Sequence, residues 1–297
     1  MKKISVILPT YNRAAYLGPS IKSVLNQTWH GELEMIVVDD CSDDNTKEII
    51  SQLKDPRIRY IESQKRAGAA AARNTGVAAS TGDWIAFIDS DTIWYPEKLA
   101  KQVGAIQQRT SDTYSLTYCR LRKQKHEESG WENHPQRVYS GLVYEKLLFD
   151  NFIDTPSVLM KRETFEAVGG FDPRLPRFQD WDLFLRVSQQ NSVLGMEEVL
   201  FDSLTLAGAI SSNDRARLEA LLIIHSKYLS DISKNSDLAS RFLAKIVNAY
   251  LIVDQPDAAA AFLRTNSRSH TLALSFLVKT ARLLPKGMYR RLWDIVR

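Results

Sequence analysis

Along its first hundred residues the chain alternates short, nearly continuous apolar runs with longer segments whose apolar positions recur at three- and four-residue spacing. The runs at 4–8, 33–38, 58–61 and 84–88 predict strands, and the segments at 14–26, 45–53 and 69–79 predict the helices between them. Strands buried on both faces lose the apolar/polar alternation, so this pattern implies βα units around a mostly parallel α/β sheet. Past residue 100 the pattern loosens. A strand is expected at 113–119, an exposed polar loop at 123–137, and helices at 161–168 and 181–190. After about residue 211 the spacing is helical, most clearly at 218–229 and 238–253. We therefore expect an α/β domain over 1–212 and a helical C-terminal extension over 213–297.

The 297 residues, 44% of them hydrophobic, suffice for a substantial core, and no apolar stretch reaches the eighteen residues of a membrane span. The first apolar run stops at Pro9, which favours a buried strand over a signal peptide. A net charge of +4 is too near balance to imply nucleic acid as a partner. Cys41 and Cys119 offer neither a metal spacing nor a disulfide framework, so a reducing, cytoplasmic setting is expected.

In an open α/β sheet, ligands bind beyond the carboxyl ends of the strands. There the first strand gives way to Pro9-Thr10-Tyr11-Asn12, the second to Asp39-Asp40, and the fourth to Asp89-Ser90-Asp91. Ser42 and Asp43 are equally well read as caps of the 45–53 helix, whereas Asp40 lies short of it and suits a ligand. Asp89 and Asp91, one residue apart, would present two hard oxygens to one side, a set that fits Mg2+ or Mn2+ together with substrate phosphates. Alone, such a triplet is a weak signal that a solvated turn also explains. Arg73, among alanines on a predicted helix, suits a fixed guanidinium near a diphosphate. Neither a G-x-G-x-x-G turn after the first strand nor a P-loop is present.

Taken in order, Ser5–Arg13, Ile36–Ser42, Ala72–Gly76, Gly82–Trp84, Phe87–Asp91, Thr155–Ser157, Gly169–Asp172 and Gln179–Leu183 resemble the family-2 inverting glycosyltransferases of the GT-A fold, over about residues 4–212. The resemblance implies a Rossmann-like mixed sheet, a catalytic domain over 1–212, and a nucleotide-diphosphate sugar, most often UDP-linked, as donor. It implies Pro9, Thr10, Tyr11, Asp40, Arg73, Asp89 and Ser90 as donor-binding, Asp91 as ligand of Mn2+ or Mg2+, and Asp180 as catalytic base. Trp94, Gly170, Gln179 and Trp181 would lie on the side of a saccharide or lipid-linked saccharide acceptor, in cell-surface polysaccharide synthesis. Gln179 stands where glutamate is frequent, and Thr92 where a third aspartate is frequent.

Two other functions stay open at this level. A nucleotidyltransferase would need a triphosphate loop that the sequence lacks, and a non-catalytic nucleotide-sugar-binding subunit would show no donor hydrolysis. The segment 279–297 carries six basic residues against Asp294, interleaved with apolar ones. It is readable as a solvated face or as a peripheral contact with the anionic inner membrane surface. On the membrane reading, deleting 279–297 is expected to abolish flotation with anionic vesicles, and unchanged flotation would rule that reading out.

Overall fold

The apolar runs become the centre of one sheet. The computed structural model describes residues 3–109, 114–124, 130–204, 213–266 and 278–280. Strands β1 (Lys3–Thr10), β2 (Glu32–Asp39), β3 (Ile58–Glu62) and β4 (Trp84–Phe87) are parallel, in the order β3-β2-β1-β4. Helices α1 (Ala14–Leu25), α2 (Thr46–Gln52) and α3 (Ala69–Ala79) connect them. Ile4, Val6, Ile7 and Leu8, like Met35 through Val38, are shielded on both faces, which is why their runs do not alternate. Because β2 and β3 are added on one side of β1 and β4 on the other, strand order reverses between β1 and β4. That reversal opens a crevice at their carboxyl ends.

Two glycines let the layers close. A Cβ on Gly76 of α3 would collide with Ile7 of β1, and one on Gly82 would lie 2.6 Å from Ser5 Oγ and 2.7 Å from Ser5 N. Both therefore mark close backbone approach.

The rest of the sheet is mixed rather than mostly parallel. After β5 (Thr92–Trp94) and α4 (Lys98–Gln107), the expected strand at 113–119 appears as β6 (Tyr114–Gln124). The polar segment expected to be a loop contains β7 (Trp131–His134), paired antiparallel with β6 from Leu121↔His134 to Gln124↔Trp131. This short strand is mostly exposed and has no buried face to impose an apolar pattern. Next come α5 (Tyr144–Phe149), a 3-10 turn at Thr155–Ser157, β8 (Val158–Lys161), α6 (Arg162–Ala167), α7 (Gln179–Ser188) and β9 (Ser192–Ser203). β8 runs antiparallel to both β4 and β6, β9 parallel to β6, and β5 antiparallel to β9. With Ala86 opposite Leu159 and β8 reversed, the residues just before β8 are delivered beside the carboxyl end of β4.

The described residues form two compact units that part near residue 208, the second also taking in Leu175–Phe178. Within the second, α8 (Asp214–Ile232) and α9 (Ser236–Ile252) are capped by Asn213 and Asn235, whose side chains accept first-turn N–H groups. α10 (Pro256–Asn266) follows, and His225 lies 6.3 Å from Phe242 and 5.5 Å from Phe262 between ring centroids. Among the described residues no helix is long and apolar enough to cross a membrane. Residues 281–297, most of the basic terminal segment, lie outside the described residues.

Candidate active site

The loops after β1 and β2 are sewn together by their own side chains. Asn12 adopts a left-handed conformation (φ 50°), which asparagine tolerates, and its N–H donates to Ser42 Oγ (2.9 Å) while its Oδ1 accepts the Asp43 N–H (2.9 Å). The capping anticipated for Ser42 and Asp43 falls instead to Asp44. Asp44 accepts the N–H of Ala14 at 3.0 Å and of Thr46 at 3.1 Å, at the start of α1 and α2.

Asp40 is buried, and its two carboxylate oxygens each accept a backbone N–H at 2.8 Å, from Ala67 and Gly68. It braces the loop that enters α3, while its own N–H donates to the Thr10 carbonyl of β1 (2.9 Å). The Thr10 hydroxyl beside it is buried without a hydrogen-bond partner among the described residues. Leaving such a group unsatisfied costs about 1–3 kcal/mol, so it marks a place where a ligand atom would be favoured. Tyr11 extends this rim, with the Arg66 guanidinium 3.8 Å from its ring centroid.

Arg73 crosses from α3 to Asp89, Nη2 to Oδ1 at 2.6 Å, and its side chain is only 9% exposed. Phe171 lies under the guanidinium at 5.4 Å, and the buried Nε has no partner among the described residues. The peptide groups of the triplet are tied down: Ser90 O accepts the Ser20 hydroxyl (2.8 Å), and Asp91 O accepts the Leu204 N–H (2.9 Å). Burial first, and the neighbouring Asp89 second, push the Asp91 carboxyl up to about 6. Among the described residues Asp91 makes no ion pair, and no group of three His, Cys, Asp or Glu is assembled that could hold a metal.

Asp180 occupies the first turn of α7. Its Oδ1 accepts the Trp181 N–H (2.8 Å) and its Oδ2 the Asn151 side-chain amide (3.0 Å). Burial first, and the charge of Asp154 second, push it up to about 6, against these two hydrogen bonds and a weaker pull from Arg73.

A profile described as Glycosyl transferase family 2 matches residues 5–169, and a putative teichuronic acid biosynthesis glycosyltransferase, TuaG of Bacillus subtilis, is 33% identical over 71% of this chain and 82% of its own length. The chain belongs to glycosyl transferase family 2. Escherichia coli WfgD, named a UDP-Glc:alpha-D-GlcNAc-diphosphoundecaprenol beta-1,3-glucosyltransferase, is 42% identical to this family-2 chain over 34% of it and 40% of the relative. Several further curated relatives are matched over less than two thirds of their own length. Among solved structures, S. aureus TarS 1-349 in complex with UDP-GlcNAc superposes with a TM-score of 0.63 at 21% identity, over 84% of this chain and 73% of that one. That likeness speaks to the fold.

The family-2 site does not gather every residue singled out in the sequence. Trp94 is 2% exposed, with the buried Lys98 ammonium 3.9 Å from its ring centroid. Trp181 is equally buried, its indole N–H donating to Leu147 O (2.6 Å). Both rings are packed into the interior, and the buried Trp94 Nε1 has no hydrogen-bond partner among the described residues. Gly170 sits at φ 69°, where a Cβ would come within 2.8 Å of Asn74 Oδ1, so its part is to let the backbone pass. Gln179 is the half-buried first residue of α7. Conversely, Asn151 and Asp154 reach the site without any sequence signal, because only the reversed direction of β8 carries their turn to the end of β4.

Proposed function

We propose that this family-2 chain transfers a sugar, with inversion, from a UDP-sugar to a hydroxyl of a saccharide or lipid-linked saccharide acceptor in cell-surface polysaccharide synthesis. The observation that carries the reading is Asp180, a carboxyl held in fixed orientation by the Trp181 N–H and the Asn151 amide and pushed up to about 6, near the range of a working base at neutral pH. Names of relatives support the substrates: a UDP-glucose and a diphosphoundecaprenol acceptor for WfgD, teichuronic acid for TuaG.

In this reading Thr10, Tyr11 and Asp40 receive the base, with Pro9 and Ser90 shaping the floor, and Arg73 and Asp89 hold the ribose and diphosphate end. Asp180 takes the proton from the acceptor hydroxyl as its oxygen bonds to the anomeric carbon. On the opposite face the anomeric carbon–oxygen bond breaks, and its electron pair leaves on the β-phosphate of UDP. Inversion follows from that in-line arrangement.

A divalent metal fits these residues. Asp91 is a partly buried carboxyl adjacent to a second carboxylate, with the Arg13 charge and the Thr92 hydroxyl offsetting only part of the cost of burying it, and Mg2+ or Mn2+ commonly binds one or two carboxylates plus substrate phosphates. When bound there, the ion would offset the charge developing on the leaving diphosphate. Saturating UDP with Mn2+ is expected to raise the melting midpoint of the wild-type protein, through about 2.7 kcal/mol at a hundredfold excess over Kd. Asp91→Ala is expected to lose the Mn2+-dependent part of that rise. An undiminished rise in Asp91→Ala would remove Asp91 from the metal's ligands.

A further inference from the structure

The residue rows that cross the mixed half of the sheet lead from Asp91 to an exposed tryptophan. Ile93 of β5, Asp202 of β9, Arg122 of β6 and Asn133 of β7 stand in register, and Thr92, Ser203, Lys123 and Glu132 form the next row toward Asp91. One residue further, the Leu204 N–H donates to the Asp91 carbonyl (2.9 Å) at one side of the sheet, and Gln124 is paired with Trp131 at the other. Trp131 therefore lies at the same end of the sheet as Asp91, three strand spacings away, or roughly 14 Å.

The Trp131 side chain is 41% exposed, yet it is held in place. The Arg122 guanidinium carbon is 4.6 Å from its ring centroid, and two hydrogen bonds to Asp202 fix the guanidinium in turn, Nε to Oδ1 (2.8 Å) and Nη2 to Oδ2 (2.7 Å). Asp202 Oδ1 also accepts the hydroxyl of Tyr95 (2.7 Å), which belongs to the segment that follows Asp91. A single aromatic residue on a surface is ordinary. A ring stacked on a guanidinium that is itself locked to the Asp91 segment is a preorganised surface. Asn133, exposed and two residues along β7, adds an amide on the same face.

We propose that Trp131 is a distal acceptor subsite, stacking on a gluco-configured pyranose of the acceptor while Asn133 hydrogen-bonds the hydroxyls at that ring's edge. The inference deepens the proposed transfer and rests on it. Equatorial hydroxyls leave such a ring with an apolar C–H face that matches an indole, and ligand sites commonly pair aromatic surface with a few placed polar groups. The separation from Asp91 is longer than one pyranose, so the sugar on Trp131 is not the one attacked but a ring further along the acceptor. Trp131 is on this reading a specificity residue that favours longer acceptors.

NMR of the indole N–H groups in the full chain, without donor or metal, reads the site directly, with the Trp131 signal identified by its loss in Trp131→Phe. Cellotriose or chitotriose is expected to shift that signal. With UDP-glucose and UDP-GlcNAc as donors, Trp131→Ala is expected to raise KM for the trisaccharide acceptor about tenfold more than KM for glucose or GlcNAc. Trp131→Leu, which keeps apolar bulk without a flat face, should behave like Trp131→Ala, and Trp131→Phe should recover most of the loss. A Trp131 signal unmoved by both trisaccharides, or a KM that rises equally for short and long acceptors, overturns the inference. Transfer that proceeds with such results sustains the proposed function without the subsite. Shifts at Trp131 with no transfer from either donor sustain the subsite and count against the proposed function instead.

Discussion

Asp180→Asn is expected to lower kcat for sugar transfer by about 10²–10⁴-fold, the usual worth of a positioned general base, while UDP binding stays within about twofold of wild type. The amide cannot take a proton from the acceptor hydroxyl. Nor can it keep both of the carboxylate's hydrogen bonds. Oδ1 and Oδ2 each accept from a donor, the Trp181 N–H at 2.8 Å and the Asn151 amide at 3.0 Å, so an asparagine must turn its own NH2 toward one of them. One contact is lost, which costs about 1 kcal/mol, offset in part by relief of burying a charge. Thermal stability should therefore change little, and the comparison of kcat with UDP affinity isolates the chemistry. Full transfer activity in Asp180→Asn would show that another group removes the proton.

How much of this was legible in the sequence depends on what each element owes to its own residues. The four parallel strands announce themselves because both of their faces are buried, so Val6–Leu8 or Met35–Val38 can only be apolar. α3 is likewise legible from its alanines, whereas the tight approaches of Gly76 to Ile7 and of Gly82 to Ser5 emerge only in the fold. β7 was not. Its residues are mostly exposed and owe their extended form to the ladder with β6, a partner the local pattern does not reveal. Trp94 and Trp181 were placed on the acceptor side by the resemblance alone, and their near-complete burial is not visible in the local pattern. Asn151 and Asp154 lie in an irregular turn, and only the antiparallel registration of β8 against β4 carries that turn to the carboxyl end of β4, where Asn151 meets Asp180. The parallel half of the sheet was thus readable by local rules, whereas the mixed half depends on pairings made across long stretches of chain.

The same dependence makes Asp182, not a residue that meets substrate, the position where a single change is expected to cost the most stability. Asp182 is fully buried in α7, and its Oδ2 accepts Nε (2.9 Å) and Nη2 (2.8 Å) of Arg186 one turn later. Arg186 Nη2 also donates to the carbonyl of Gly170 at 2.7 Å, and Nη1 to that of Val168. The clamp thereby fixes the two glycines, both at positive φ, from which Phe171 departs. Asn74 grips Phe171 from the other side, donating to its carbonyl (2.8 Å) and accepting its N–H (2.9 Å), and Phe171 lies under Arg73. Removing one member of a buried ion pair leaves the other charge uncompensated, at about 3–5 kcal/mol. Asp182→Ala is accordingly expected to lower the melting midpoint by about 10 °C and, through Phe171 and Arg73, to weaken UDP binding. A double-mutant cycle with Arg186→Met separates the two causes: if the pair is the source of the loss, Asp182→Ala should cost far less in the Arg186→Met background. An equal loss in both backgrounds would place the stabilisation in the other contacts of Asp182, and leave the position of Phe171 to Asn74 alone.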